Sequence, residues 1–165
     1  MLTTDELIAE LAQEAATTRR VLERVPENRL AWTPHARSRS LGQLAFHVAA
    51  VPGALANLLR ELKREAPEFT DPVPASLAEI LSAHDEGLRV ATTQLAAWDS
   101  DDLAAEWTMT RDGNTVLAMP RMNMVRSVMF NHLYHHRGQL TVYLRLLEVP
   151  VPSVYGPSAD ESPFA

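Results

Sequence analysis

Of the six histidines in this 165-residue chain, three fall within five positions: His132, His135 and His136, inside the run Asn131-His-Leu-Tyr-His-His-Arg-Gly-Gln-Leu140. Helix residues four apart stand about 6 Å apart along the axis and nearly in line on one face. His132 and His136, so placed, can grip one metal ion. A third imidazole, His47, falls in the stripe Leu44, Val51, Leu55, Leu58, Leu62, where Leu or Val is expected. A single core histidine is usually satisfied by ordinary hydrogen bonds. Three core-facing imidazoles cost desolvation unless each finds a partner, and a metal supplies one. Cysteine is absent, so a metal here takes nitrogen and oxygen ligands. Zinc fits an all-histidine shell best, with nickel or iron as alternatives. Three imidazoles also leave positions open for water or substrate.

The other histidines are weighed against that set. His84 lies on the apolar stripe of a different helix and is a candidate fourth ligand, with a structural role the more usual one. His135 sits at the edge of its helix's core face and is the alternative to His136, because i,i+3 spacing also chelates. His35, beside Pro34 in a loop, is expected to be exposed. Gln43, one turn before His47, and Gln139 and Tyr143, one and two turns beyond His136, could orient an imidazole or a bound water. They serve equally well as ordinary interface polar groups. Tyr134 and Arg137 point off the core face and read as surface or dimer contacts. Trp32, Trp98 and Trp107 read as packing residues, and the late methionines as core filling.

Four helices must position these groups. Thr3 with Glu6, Ser40 with Gln43 and Ser76 with Glu79 each carry capping-box spacing, which opens helices near residues 4, 41 and 77. Pro26 closes the first, and residues 26–39 form a loop. Pro52-Gly53 is expected to kink the second, which runs to about Leu62. Residues 66–75, with Pro67, Pro72 and Pro74, form a connection. The third helix ends at Asp99-Ser100-Asp101-Asp102. Trp107 to Met119 reads as a small β-hairpin with Asp112-Gly113 in its turn. Pro120 opens a fourth helix that runs to about Glu148. Advancing about 100° per residue from His132 places Val125, Met129, His136, Gln139, Tyr143 and Leu147 on the core face. The tail from Val149 is Pro-rich and extended, with a turn at Tyr155-Gly156-Pro157. The expectation is an all-α, four-helix-bundle chain, 1–165 as a single domain, with a possible hairpin between helices three and four.

Composition removes some functions. A net charge of −6 with scattered arginines lacks the clustered Lys/Arg that nucleic acid demands, and a membrane surface is excluded on the same ground. The acidic start is unlike a signal peptide, and no apolar run is expected to reach membrane-spanning length. The expected location is cytoplasmic.

Three segments together carry a resemblance. Leu41-Gly-Gln-Leu-Ala-Phe-His47, His132-Leu-Tyr-His-His-Arg-Gly-Gln-Leu140 and Val151-Pro-Ser-Val-Tyr-Gly-Pro-Ser-Ala-Asp160 resemble the DinB/YfiT-like metalloenzyme superfamily, which shares a name with an unrelated DNA polymerase. The HHRGQ run and the YGPSAD tail are its most specific parts. The resemblance implies an up-down-down-up four-helix bundle, commonly a homodimer. It implies a divalent metal held by His47, His132 and His136, and His132 places the chain in the branch with an all-histidine ligand set. Characterised relatives include transferases and isomerases that use low-molecular-weight thiols such as bacillithiol or mycothiol.

Two functions are then expected as alternatives. The first is a metal-dependent thiol S-transferase or isomerase. The metal would hold an incoming thiol as thiolate for attack on an electrophile, with no side chain acting as nucleophile. The second is a non-catalytic stress-response protein, metal-binding or simply a dimeric binding module.

Overall fold

The computed structural model describes residues 3–68 and 70–164. Helix α1 spans Thr4–Leu22, opened by the Thr3/Glu6 capping box. The Ser40/Gln43 box opens α2, Leu41–Leu58, and Ser76 caps α3, Leu77–Ala96. The last helical stretch is composite. A short α5, Arg121–Met124, passes through a π-helical segment, Val125–Phe130, into α6, Asn131–Leu146.

Between α3 and α6 the expected hairpin forms, and with a third strand it makes a small sheet, so the fold is mostly helical rather than all-α. A short helix α4, Ser100–Ala104, is capped by Asp99, the first residue of the acidic run expected only to stop α3. The hairpin forms as β2, Glu106–Arg111, and β3, Asn114–Pro120, antiparallel with a bulge at Met109/Thr110. Its turn residues Asp112 and Gly113 have φ of 52° and 78°, the left-handed pair that a two-residue hairpin loop requires. A third strand, β1, Lys63–Glu65, pairs parallel to β2. The second helix therefore stops at Leu58 rather than Leu62. The reason is tertiary: β1 finds a ladder on β2, which a periodicity reading cannot see.

Contacts set the directions of the long helices. Glu14 and Thr18 of α1 meet Arg137 of α6, and Glu10 meets Arg126 and Tyr134, so α1 and α6 run the same way. Arg39, just before α2, meets Tyr143 near the end of α6, while His47 meets His132, so α2 and α6 oppose. Helices α2 and α3 cross closely where Gly53 faces Gly87: a Cβ on Gly53 would lie 2.7 Å from the Gly87 Cα. Helix α2 continues through Pro52, and Gly53 serves that close approach.

The core has two ends. One gathers Leu44, Ala45 and Val48 of α2 with Leu133, Leu140 and Leu144 of α6. The other gathers Leu7 and Leu11 of α1 with Trp107, Met129 and Phe130 beside the sheet. Among the described residues, α2 is also a helix long and apolar enough to cross a membrane, contrary to expectation. Its Leu41, Leu44, Ala45 and Val48 are at most 2 % exposed, so its apolarity is that of a helix buried in the fold.

Candidate metal centre

Helices α2 and α6 deliver three imidazoles to one point. His47 and His132 are half-buried and His136 is 8 % exposed. One ring nitrogen from each of the three lies within 4.8 Å of the other two. The His47 and His132 Nε2 atoms are 3.2 Å apart. Ring centroids lie 5.1 Å apart for His47 and His132, and 4.5 Å apart for each of those with His136. Two nitrogens bound tetrahedrally to one zinc ion at about 2.0–2.1 Å stand about 3.3 Å apart, so the observed spacing fits a shared cation.

Burial decides the protonation state of the three rings. Burial first, then the positive charge of Arg39 and the neighbouring imidazoles, lowers the His47 pKa from 6.5 to about 4, with Asp71 opposing weakly. Burial also lowers His132, offset in part by a hydrogen bond to the Val128 backbone, and lowers His136, offset in part by Gln139. All three are neutral near pH 7, the form that offers a lone pair to a metal.

Each ring on α6 is also oriented. Gln139 Oε1 lies 2.7 Å from His136 Nδ1, so Nδ1 donates there and Nε2 is left as the acceptor. His132 has the Val128 backbone one turn back, in the π-helical segment. Irregular turns of this kind often adjoin functional residues.

Of the residues weighed from sequence, the structure brings together His47, His132, His136 and Gln139. His84 stands apart. It is 5 % exposed and bridges α1 and α3, with Nε2 3.2 Å from the Ala15 carbonyl and Nδ1 3.3 Å from Asp85. His135 is exposed; its ring stacks edgewise on His136 at 4.9 Å. His35 is exposed in its loop. Gln43 and Tyr143 touch the surroundings of the site rather than its imidazoles. Gln43 bonds Ser40 and the Asp71 carbonyl, and the Tyr143 hydroxyl donates to the Arg39 carbonyl. Arg39 and Asp71, paired at 2.7 Å, are charged neighbours that the sequence reading did not single out. They lie in loops, where periodicity carries no signal.

The surface role expected for Arg137 and Tyr134 is overturned. Arg137 is 1 % exposed, bonded to Glu14, Thr18 and the Tyr155 hydroxyl. Tyr134 is partly buried and donates to Glu10 at 2.6 Å. Helix α6 is packed on two sides, by α2 and by α1 with the tail, so its second buried face fell outside a single apolar stripe.

Compared with known proteins, the chain fits the DinB family over residues 1–163. It is 26 % identical over 159 residues to the uncharacterized protein YrdA of Bacillus subtilis, covering 96 % of this chain and 92 % of that one. It superposes on a DinB-like protein of Bacillus cereus with a TM-score of 0.71 and 26 % identity, over 93 % of this chain and 98 % of that one. It also superposes on a DinB-like protein of Bacillus subtilis with a TM-score of 0.69 at 17 % identity, over 90 % and 97 % of the two chains. That second likeness speaks for the fold alone.

Proposed function

The chain belongs to the DinB family, and from that premise we propose that it is a divalent-metal-binding enzyme of the thiol S-transferase or isomerase type. His47, His132 and His136 are the ligands, and zinc is the metal that their chemistry suits best, ahead of nickel or iron. We read the four long helices as an up-down-down-up bundle, which brings α2 and α6 side by side. A homodimer in the cytoplasm belongs to the same proposal; the exposed Val142 and Leu146 on the outer side of α6 support a second copy there.

One observation carries the reading: three neutral imidazole nitrogens converge at one half-buried point, and no fourth His or acidic side chain joins them among the described residues. When bound, a divalent cation there would hold a thiol as thiolate at neutral pH. The chain's own residues do the rest. Gln139 holds the His136 ring in one tautomer, and burial keeps the imidazoles uncharged. With no cysteine in the sequence, the thiol must come as a cosubstrate.

The test is thiol consumption by metal-loaded protein, with bacillithiol, mycothiol and glutathione each offered test electrophiles. Turnover in the wild type that disappears in His132→Ala supports the proposal. Turnover unchanged by that substitution sinks the mechanism. A non-catalytic metal-binding protein is the second reading. In its favour, the polar groups around the triad bond one another, Arg39 to Asp71 and Gln43 to Ser40 and Asp71. A metal-loaded protein without turnover would select it.

A further inference from the structure

The positive charge of Arg39 acts on all three imidazoles. Its place is fixed by a chain of contacts that runs around the site. Arg39 Nε donates to Asp71 Oδ1 at 2.7 Å, the Asp71 carbonyl accepts from Gln43 at 3.1 Å, and Gln43 lies one turn before His47. On the other side, the Arg39 carbonyl accepts from Tyr143, one turn beyond the Gln139 that holds His136. Arg39 is therefore tied, through Asp71 and Gln43 on one side and Tyr143 on the other, to the helix turns next to those that carry His47 and His136.

Its guanidinium is only partly used. Among the described residues Nε carries its one hydrogen bond and ion pair, and the Nη1 and Nη2 groups have none. The side chain is 33 % exposed. A guanidinium edge with free N–H groups suits the two oxygens of a carboxylate. The other usual anion site nearby, the amino end of α2, is already spent. Leu41 N donates to the Trp32 carbonyl, Gly42 N to Leu30, Gln43 N to the Ser40 hydroxyl and Leu44 N to the Ser40 carbonyl. An anionic ligand that reaches this end of the triad is left with Arg39, in a chain whose net charge of −6 would otherwise repel it.

We infer that Arg39 is a specificity-determining residue: the small molecule that reaches the histidine triad carries a carboxylate, and Arg39 binds it through its free Nη groups. The inference rests on the proposed site but needs no turnover. Asp71 holds the Nε edge and orients the fork, at the cost of weakening its field.

Two matched pairs of probes separate the sources of the carboxylate. N-acetylcysteine against N-acetylcysteine amide tests a carboxylate on the thiol. Succinate against succinamide tests one on a thiol-free substrate. Binding is followed through the ring resonances of His47, His132 and His136, in zinc-loaded and in metal-free protein. The acid of at least one pair should bind roughly tenfold to a hundredfold more tightly than its amide. Arg39→Gln should bring that ratio to within about threefold of unity without changing zinc stoichiometry, and Arg39→Lys should restore part of it. Asp71→Asn should raise the preference for the acid. Equal binding of acid and amide in both pairs, or a preference untouched by Arg39→Gln, overturns the inference. Absent turnover with an Arg39-dependent acid preference would remove the enzymatic reading and leave this one standing.

Discussion

Helix α6 presents two polar faces that answer the cost of burial in opposite ways. Toward α1 and the tail, Arg137 is 1 % exposed and Glu14 6 %, yet the charges are matched. Arg137 donates to Glu14 Oε2 at 2.6 Å, to Thr18 at 3.0 Å and to Tyr155 at 2.6 Å, and Tyr155 donates to the same carboxylate at 2.9 Å. Toward α2, three imidazoles face one another, each with a nitrogen that can accept and no protein proton that satisfies all three. The first face is complete within the chain. The second has the donor set that a metal ion could complete. Burial alone does not distinguish a structural polar cluster from a site; the balance of donors and acceptors does.

The largest effect is expected from breaking the complete face. Arg137→Ala leaves Glu14 buried without its charge partner and should cost about 3–5 kcal/mol of stability in denaturant unfolding, with or without metal. An apolar pair, Arg137→Met with Glu14→Leu, should recover much of that loss. A single substitution that costs nothing would show that the network is not closed.

His132→Ala should do the reverse. It should leave the unfolding midpoint of the metal-free protein within about 0.5 kcal/mol of wild type, or raise it, because it removes a desolvated group with no full partner. It should abolish the one divalent ion per chain expected in elemental analysis of purified protein. Retained stoichiometry would remove His132 from the ligand set.

Gln139→Leu separates orientation from ligation. Without the Nδ1 partner the His136 ring loses its preferred tautomer, and zinc affinity should fall roughly tenfold to a hundredfold while stoichiometry stays the same. A chelator competition that shows no change would make Gln139 a bystander.

The smallest effect is the open face's share of the pH dependence. Folding lowers the His47 pKa from 6.5 to about 4, chiefly by burial, and lowers His132 and His136 in the same sense. As pH falls, the unfolded chain takes up protons first. The metal-free protein should therefore lose stability from roughly pH 6.5 downward through about 4. Comparing unfolding midpoints at about pH 7.5 and about pH 5 in wild type and His47→Ala reads the His47 share, which the variant should lack while His132 and His136 keep theirs.

Periodicity located much of this molecule. The capping pairs at Thr3, Ser40 and Ser76 mark the observed starts of α1, α2 and α3, because a cap is a local bargain between one side chain and backbone three residues on. The Asp-Gly turn was legible for the same reason, since two left-handed residues are a local demand. His47, His132 and His136 were legible because polar residues interrupt an apolar stripe. Strand β1 was not, because it pairs with β2, about 45 residues away.

Sequence by itself therefore determined the helical starts, the hairpin turn, the absence of thiolate ligands and the three imidazoles placed on inward faces. Tertiary structure alone decided that those imidazoles meet, that His84 is held by α1 instead, and that Arg137 is buried. It also decided that Arg39 and Asp71, from two loops, lie beside the triad. The physical reason is one of range: caps, turns and helix phase are settled within a few residues. A shared point for nitrogens 85 residues apart, and a carboxylate that closes an ion pair across two helices, exist only once the helices have packed.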